Sequence, residues 1–158
     1  DNQFGMPGLF LIAHEPLASA LKCAAQHCFP EAVASLQSLD VSAGQPPEEI
    51  EAQARILLQK AQDGDERGEV LILTDVFGAT PCNTVQRLAD GQRVKVVTGV
   101  NLPMLWRALN YSRESLDTLI TRAVTGGSQG IMQIATSRPQ NQATPASSHD
   151  QDHRHHQQ

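Results

Sequence analysis

The sequence predicts an α/β domain built on a mainly parallel sheet, and three observations carry that reading. Two short unbroken apolar runs, Leu9-Phe10-Leu11-Ile12-Ala13 and Val70-Leu71-Ile72-Leu73-Thr74, have the pattern of strands buried on both faces. Each is followed by a stretch with helical apolar spacing, so strands and helices alternate along the chain. With 158 residues, of which 40% are hydrophobic, the chain is long enough for one domain with a sizeable core.

The elements follow in order. After the first strand, apolar residues at Leu17, Leu21, Ala24, Ala25, Cys28 and Phe29 predict a helix that Pro30 stops. Val33 to Val41 reads as a second strand whose partly polar character places it at a sheet edge. Pro46 and Pro47 open a helix with an acidic first turn and a buried stripe of Ile50, Ala54, Leu57, Leu58 and Ala61, closed by Asp63-Gly64. The second apolar run ends at Asp75. Gly78-Ala79-Thr80-Pro81 then turns the chain into a helix, with Thr80 as N-cap and Pro81 at the first helical position. Val94 to Thr98 predicts a fourth strand, Leu102 to Leu109 and Ser115 to Val124 two helices, and Gly126-Gly127 leads to a final short segment, Gly130 to Ala135.

Composition narrows the function. The formal net charge is −5 with no block of Lys or Arg, so nucleic acid is not an expected partner. The longest apolar run falls far short of the roughly 20 residues of a membrane span, and no leader pattern precedes it. A cytoplasmic protein without membrane insertion is expected. Cys23, Cys28 and Cys82 form no C-x-x-C pair and read as buried thiols. Residues 1–5, ahead of Met6, read as an expression remnant. From residue 137 to 158 the chain is polar, with almost no large apolar side chain, and is expected to be disordered. Its His149, His153, His155 and His156 either bind a transition metal adventitiously or are simply solvated.

The chemistry is expected beyond the carboxyl ends of the strands, where strand order reverses. A flavodoxin-like three-layer order of 2-1-3-4 makes strands one and three neighbours and brings His14 and Asp75 together. A carboxylate on one imidazole nitrogen fixes the tautomer and leaves the other nitrogen free to attack phosphorus. The start of the Thr80-Pro81 helix supplies backbone N–H groups and a positive dipole end suited to a phosphoryl dianion. Gly78 serves either a special backbone conformation near the ligand or an ordinary turn. Asn83 and Asn101 either orient loops or cap helices. His27, at the end of the first helix, is explained by the helix dipole alone.

Three segments carry a resemblance: Leu11-Ile12-Ala13-His14, Leu73-Thr74-Asp75-Val76-Phe77-Gly78-Ala79-Thr80-Pro81-Cys82-Asn83, and Thr98-Gly99-Val100-Asn101-Leu102-Pro103-Met104-Leu105. In order and spacing they resemble the signature stretches of the mannose-type enzyme IIA family of the sugar phosphotransferase system (PTS), over about residues 8 to 135 within a domain taken as 6–136. The resemblance implies a phosphotransferase whose His14 accepts phosphoryl from HPr, the histidine-containing phosphocarrier, and passes it to a IIB component. It implies Asp75 as the orienting carboxylate, Thr80 as a hydroxyl of the phosphate-binding loop with Gly78 and Ala79, and Asn83 and Asn101 as supports of the loops. It also implies a homodimer in which Gly130 to Ala135 is a short C-terminal strand exchanged between copies.

The chain departs from that pattern in one place. The family often has a small residue after the histidine, whereas Glu15-Pro16 stands here. The carboxylate either lies near the incoming phosphoryl group, where like charge would tune phosphorylation, or points into solvent. With no fused IIB domain in the sequence, a regulatory phosphorelay protein or a degenerate binding module is the alternative to a transport role. A receiver phosphorylated on Asp75 would need an acidic pair after the first strand, which here ends in His14. A metal-dependent hydrolase using His14, Asp75 and Glu15 lacks further ligand candidates near the strand ends. No cofactor is expected, and no metal site is specified.

Overall fold

Four strands, β1 (Gly8–His14), β2 (Gln37–Val41), β3 (Val70–Thr74) and β4 (Val94–Val97), lie in the order β2-β1-β3-β4 and pair entirely in parallel among the described residues. The computed structural model describes residues 5–137, so the expectations for residues 1–4 and 138–158 lie outside the described residues. The elements are β1 (Gly8–His14), α1 (Leu17–Gln26), α2 (Pro30–Val33), β2 (Gln37–Val41), α3 (Pro47–Asp63), β3 (Val70–Thr74), α4 (Thr80–Leu88), β4 (Val94–Val97), α5 (Leu102–Asn110) and α6 (Leu116–Gln129).

Strand alternation divides the core into two layers. Leu9, Leu11 and Ala13 of β1, with Leu71 and Leu73 of β3, face α1, α5 and α6. Phe10 and Ile12, with Val70 and Ile72, face α3 and α4. The two central strands are therefore apolar at successive positions because each has a helical layer on both sides. β2 and β4 are the edges, as the partly polar β2 predicted, and their interior positions are only half buried.

Several local expectations are corrected. β2 is shorter than Val33 to Val41 because Pro30 not only follows the first helix but opens a helical turn, α2, whose Val33 is buried. The buried face of α1 is Ala18 and Ala25 with Leu21 partly buried, and Leu17, Ala24 and Cys28 lie exposed. Cys23 and Cys28 are accordingly exposed thiols, and only Cys82 is buried. Helix α4 starts at Thr80, one residue earlier than expected, so Ala79 is the N-cap and Pro81 the second helical residue.

Gly126-Gly127 does not end a helix. Helix α6 runs through both, because they are the points where it lies closest to α5. A Cβ on Gly126 would stand 2.7 Å from Arg107 Cβ, and one on Gly127 2.8 Å from Met104 Cε. Residues 131–137 beyond α6 form no strand within the single chain, and Ile131, Met132 and Ile134 are exposed. These apolar side chains bury against nothing among the described residues.

Helix α3 crosses β1 at Gly8, where a Cβ would sit 2.4 Å from the Ala61 carbonyl oxygen. That neighbour is backbone and cannot swing aside. Gly8→Ala is expected to destabilise the fold by about 1–3 kcal/mol, read as a lowered denaturation midpoint with unchanged slope.

Candidate functional site

β1 and β3 are adjacent, and the pairing of Ile12 with Thr74 places the residues that follow these strands side by side. His14 ends β1 and Asp75 is the first residue after β3. One carboxylate oxygen, Asp75 Oδ2, accepts the His14 backbone N–H at 3.0 Å and lies 2.7 Å from His14 Nδ1. The other, Oδ1, accepts the Val76 N–H at 2.9 Å. The imidazole is 53% exposed and the Asp75 side chain only 9%. A largely buried carboxylate thus grips one edge of a ring that is half exposed.

The backbone under Asp75 is braced from the β4 side. Gly99 N–H donates to the Asp75 carbonyl at 2.9 Å and Val100 N–H to the Thr74 carbonyl at 3.0 Å. Partial burial raises the Asp75 carboxyl, but the bonds from the His14 backbone and side chain and from the Val76 backbone outweigh it and hold it below the usual carboxylate range. Asp75 is therefore an anion at neutral pH, with its Nδ1 partner carrying the proton.

Helices α1, α3, α4 and α5 all begin at this edge of the sheet, each following a strand. Their N-termini differ in what occupies them. The Asp40 carboxylate, from β2, accepts Ser19 N–H at 3.0 Å and Ser19 Oγ–H at 2.5 Å in the first turn of α1. α3 carries Glu48 and Glu49 in its own first turn. Asn101 Oδ1 caps α5 by accepting Met104 N–H at 2.9 Å. α1 and α4 both lack a side-chain cap and an acidic residue in the first turn, but α1 receives Asp40 from β2, whereas the first turn of α4, which follows Asp75, meets no carboxylate among the described residues. Its positive end is the one left to meet an external anion.

Gly78, exposed before α4, has φ +84° with open space where a Cβ would stand. Glycine is required there by conformation and not by crowding. Asn83 Nδ2 donates to the Gly78 carbonyl at 3.0 Å, so this residue orients the loop and caps nothing. Asn101 does both: besides capping α5, its Nδ2 donates to the Gly127 carbonyl at 3.1 Å. It makes no bond to the His14–Asp75 pair. Thr80 is exposed, and its carbonyl accepts Thr84 Oγ1–H at 2.9 Å.

Glu15 neither covers the imidazole nor hangs free. Ser42 Oγ–H donates to Glu15 Oε2 at 2.9 Å, and Glu15 N–H donates to the Val41 carbonyl at 3.0 Å. The Asp40–Ser19 and Ser42–Glu15 bonds were not read from the sequence. The signal for them is the β1–β2 register, which pairs Ala13 with Asp40 and His14 with Val41, and no local pattern reveals that register. Val76 and Phe77, between Asp75 and Gly78, are 54% and 72% exposed, a second feature that the apolar residue types alone did not predict.

The chain is related to known proteins in sequence and in fold. The model of the family described as "PTS system fructose IIA component" (EIIA-man) matches residues 8–124. The chain is 35% identical over 80 residues to the PTS system mannose-specific EIIAB component of Escherichia coli, covering 49% of this chain and 24% of that protein. It is 44% identical over 59 residues to the PTS system fructose-specific EIIA component of Bacillus subtilis, covering 37% and 40%. The matches thus span less than half the length of these curated relatives. In fold, the chain is similar to the mannose/sorbose-specific IIA subunit from Enterococcus faecalis, with TM-score 0.74, 24% identity and coverage of 85% and 98%. It is also similar to a PTS IIA protein associated with the fucose utilization operon of Streptococcus pneumoniae, with TM-score 0.70, 22% identity and coverage of 80% and 91%.

Because the folded Asp75 carboxyl titrates below its ordinary value, its contribution to stability is complete above about pH 4 and is lost as pH falls through the lowered value. Melting curves across pH should therefore show wild type more stable than Asp75→Asn at neutral pH, with the gap closing in acid. A gap independent of pH would contradict the ionised pairing.

Proposed function

The chain belongs to the family described as PTS system fructose IIA component, EIIA-man, and from that premise we propose that it is a phosphocarrier of the phosphoenolpyruvate:sugar phosphotransferase system, with His14 carrying the phosphoryl group. The observation that supports this most is the 2.7 Å contact of His14 Nδ1 with Asp75 beneath a half-open ring. With the proton held at Nδ1, the Nε2 lone pair is the nucleophile. Phospho-HPr is the donor in this reading and a IIB component the acceptor, acting in the cytoplasm. Among the described residues no helix is long and apolar enough to cross a membrane.

In the transfer, Nε2 bonds to phosphorus as the N–P bond of the donor phosphohistidine breaks and its electron pair returns to the donor ring. The phosphorylated His14 ring, protonated at Nδ1, is cationic, and the Asp75 carboxylate stabilises it. The phosphoryl oxygens meet the uncapped start of α4 at Gly78, Ala79 and Thr80, while Asn83 holds that loop and Asn101 supports the neighbouring one. Onward transfer returns the pair to Nε2 as the acceptor takes phosphorus. Exposed Val76 and Phe77 beside the histidine suit a site that must meet protein partners.

Incubation with phosphoenolpyruvate, enzyme I and HPr, followed by intact-mass measurement, should add one acid-labile phosphate to wild type and none to His14→Ala. Asp75→Asn should be labelled about 10²–10⁴-fold more slowly. Label on His14→Ala would reject the carrier site, and absence of label on wild type would leave a binding module without phosphotransfer.

A homodimer is the second part of the proposal. Ile131, Met132 and Ile134 follow α6 exposed, and β4 ends the sheet with one open edge, so a partner's edge is a suitable place for residues 130–135 to pair. Sedimentation at micromolar concentration should give a dimer for the full chain and a monomer for a chain ending at Gln129. A stable full-length monomer would overturn the exchange.

A further inference from the structure

Three carboxylates stand at the strand ends around His14, and the structure treats them differently. Asp75 is bonded to the imidazole. Asp40 is met by the backbone N–H of Ser19 in the first turn of α1, so the positive end of that helix offsets its charge. Glu15 is met by a neutral hydroxyl, Ser42 Oγ, and no cation pairs with it among the described residues. Its charge is fixed in place and left uncompensated.

We propose that Glu15 sets the phosphoryl-transfer equilibrium of His14, biasing the protein toward giving the group away. The inference rests on the phosphocarrier reading. Glu15 adjoins His14 in the chain, with Cα atoms about 3.8 Å apart, so its carboxylate and a phosphoryl group on Nε2 are carried by neighbouring residues at a separation on the order of one Debye length at 0.1 M salt, where repulsion is only partly screened. Transfer to the neutral ring adds a net charge of −1 at the site, the phosphoryl dianion outweighing the Nδ1-protonated ring, so a nearby monoanion raises the energy of the phosphorylated state above that of the free one. The Ser42 bond matters because it fixes the carboxylate on the β2 side of His14 instead of leaving it free to rotate. Glu15 N–H on the Val41 carbonyl ties its backbone to the same strand end. The α4 N-terminus attracts the phosphoryl group and Glu15 opposes it, which suits a carrier that must release what it accepts.

A charge series isolates this effect. Glu15→Gln keeps an oxygen for Ser42 to donate to and removes only the charge, and Glu15→Lys reverses it. The equilibrium constant for transfer from phospho-HPr is measured for wild type and both variants at low and high salt, with melting curves confirming that each is folded. The expected order is Glu below Gln below Lys, with about a twofold to fivefold gain from Glu to Gln at low ionic strength that shrinks toward unity near 1 M salt. Equal constants at low salt, a different order, or a shift that salt does not change would overturn the role of Glu15 while leaving the carrier intact. Failure of all three proteins to take label would overturn the carrier reading and this inference with it.

Discussion

One carboxylate oxygen organises the site. Asp75 Oδ2 receives both the backbone N–H and the ring Nδ1 of His14, so backbone position, ring orientation and tautomer depend on a single acceptor. That acceptor is in turn held by its own loop, through Val76, and by the turn after β4, through Gly99. The arrangement needs β1 and β3 to be parallel neighbours in one particular register. A slip of one residue would send His14 to the other side of its strand, away from the carboxylate.

The same topology decides where an anion can be held. All four helices that leave this edge of the sheet present positive ends toward it, yet three of those ends are occupied by Asp40, by Glu48 and Glu49, or by Asn101. The uncapped end belongs to α4, which the chain enters directly from Asp75 through Gly78. An exposed histidine, the carboxylate bonded to it and an uncapped helix start are thus delivered by two adjacent strand ends and a five-residue connection.

The interior that supports this is partitioned by strand alternation. Odd positions of β1 and β3 bury against α1, α5 and α6, and even positions against α3 and α4. Close approach is bought with small residues where helices meet backbone or one another: Gly8 under α3, and Gly126 and Gly127 between α5 and α6. The glycine pair in α6 illustrates how one residue type serves opposite purposes, since the sequence pattern suggested a break and the packing required a contact.

By itself the sequence determined the order of the four strands and the five longer helices, the sheet order, the His14–Asp75 pairing and the family, because short unbroken apolar runs, helix-opening prolines and the motif stretches are encoded locally. Only the tertiary structure decided the phase of the buried face of α1, the exposure of Cys23 and Cys28, the passage of α6 through Gly126-Gly127, and the roles of Asp40, Ser42 and Glu15. Each of these depends on which surface of another element lies opposite. A helix of alternating small and apolar residues has several faces of similar hydrophobicity, and only packing chooses among them. A carboxylate reads the same in sequence whether it meets a helix N-terminus, a hydroxyl or water, and the register between β1 and β2 sets which of these it finds.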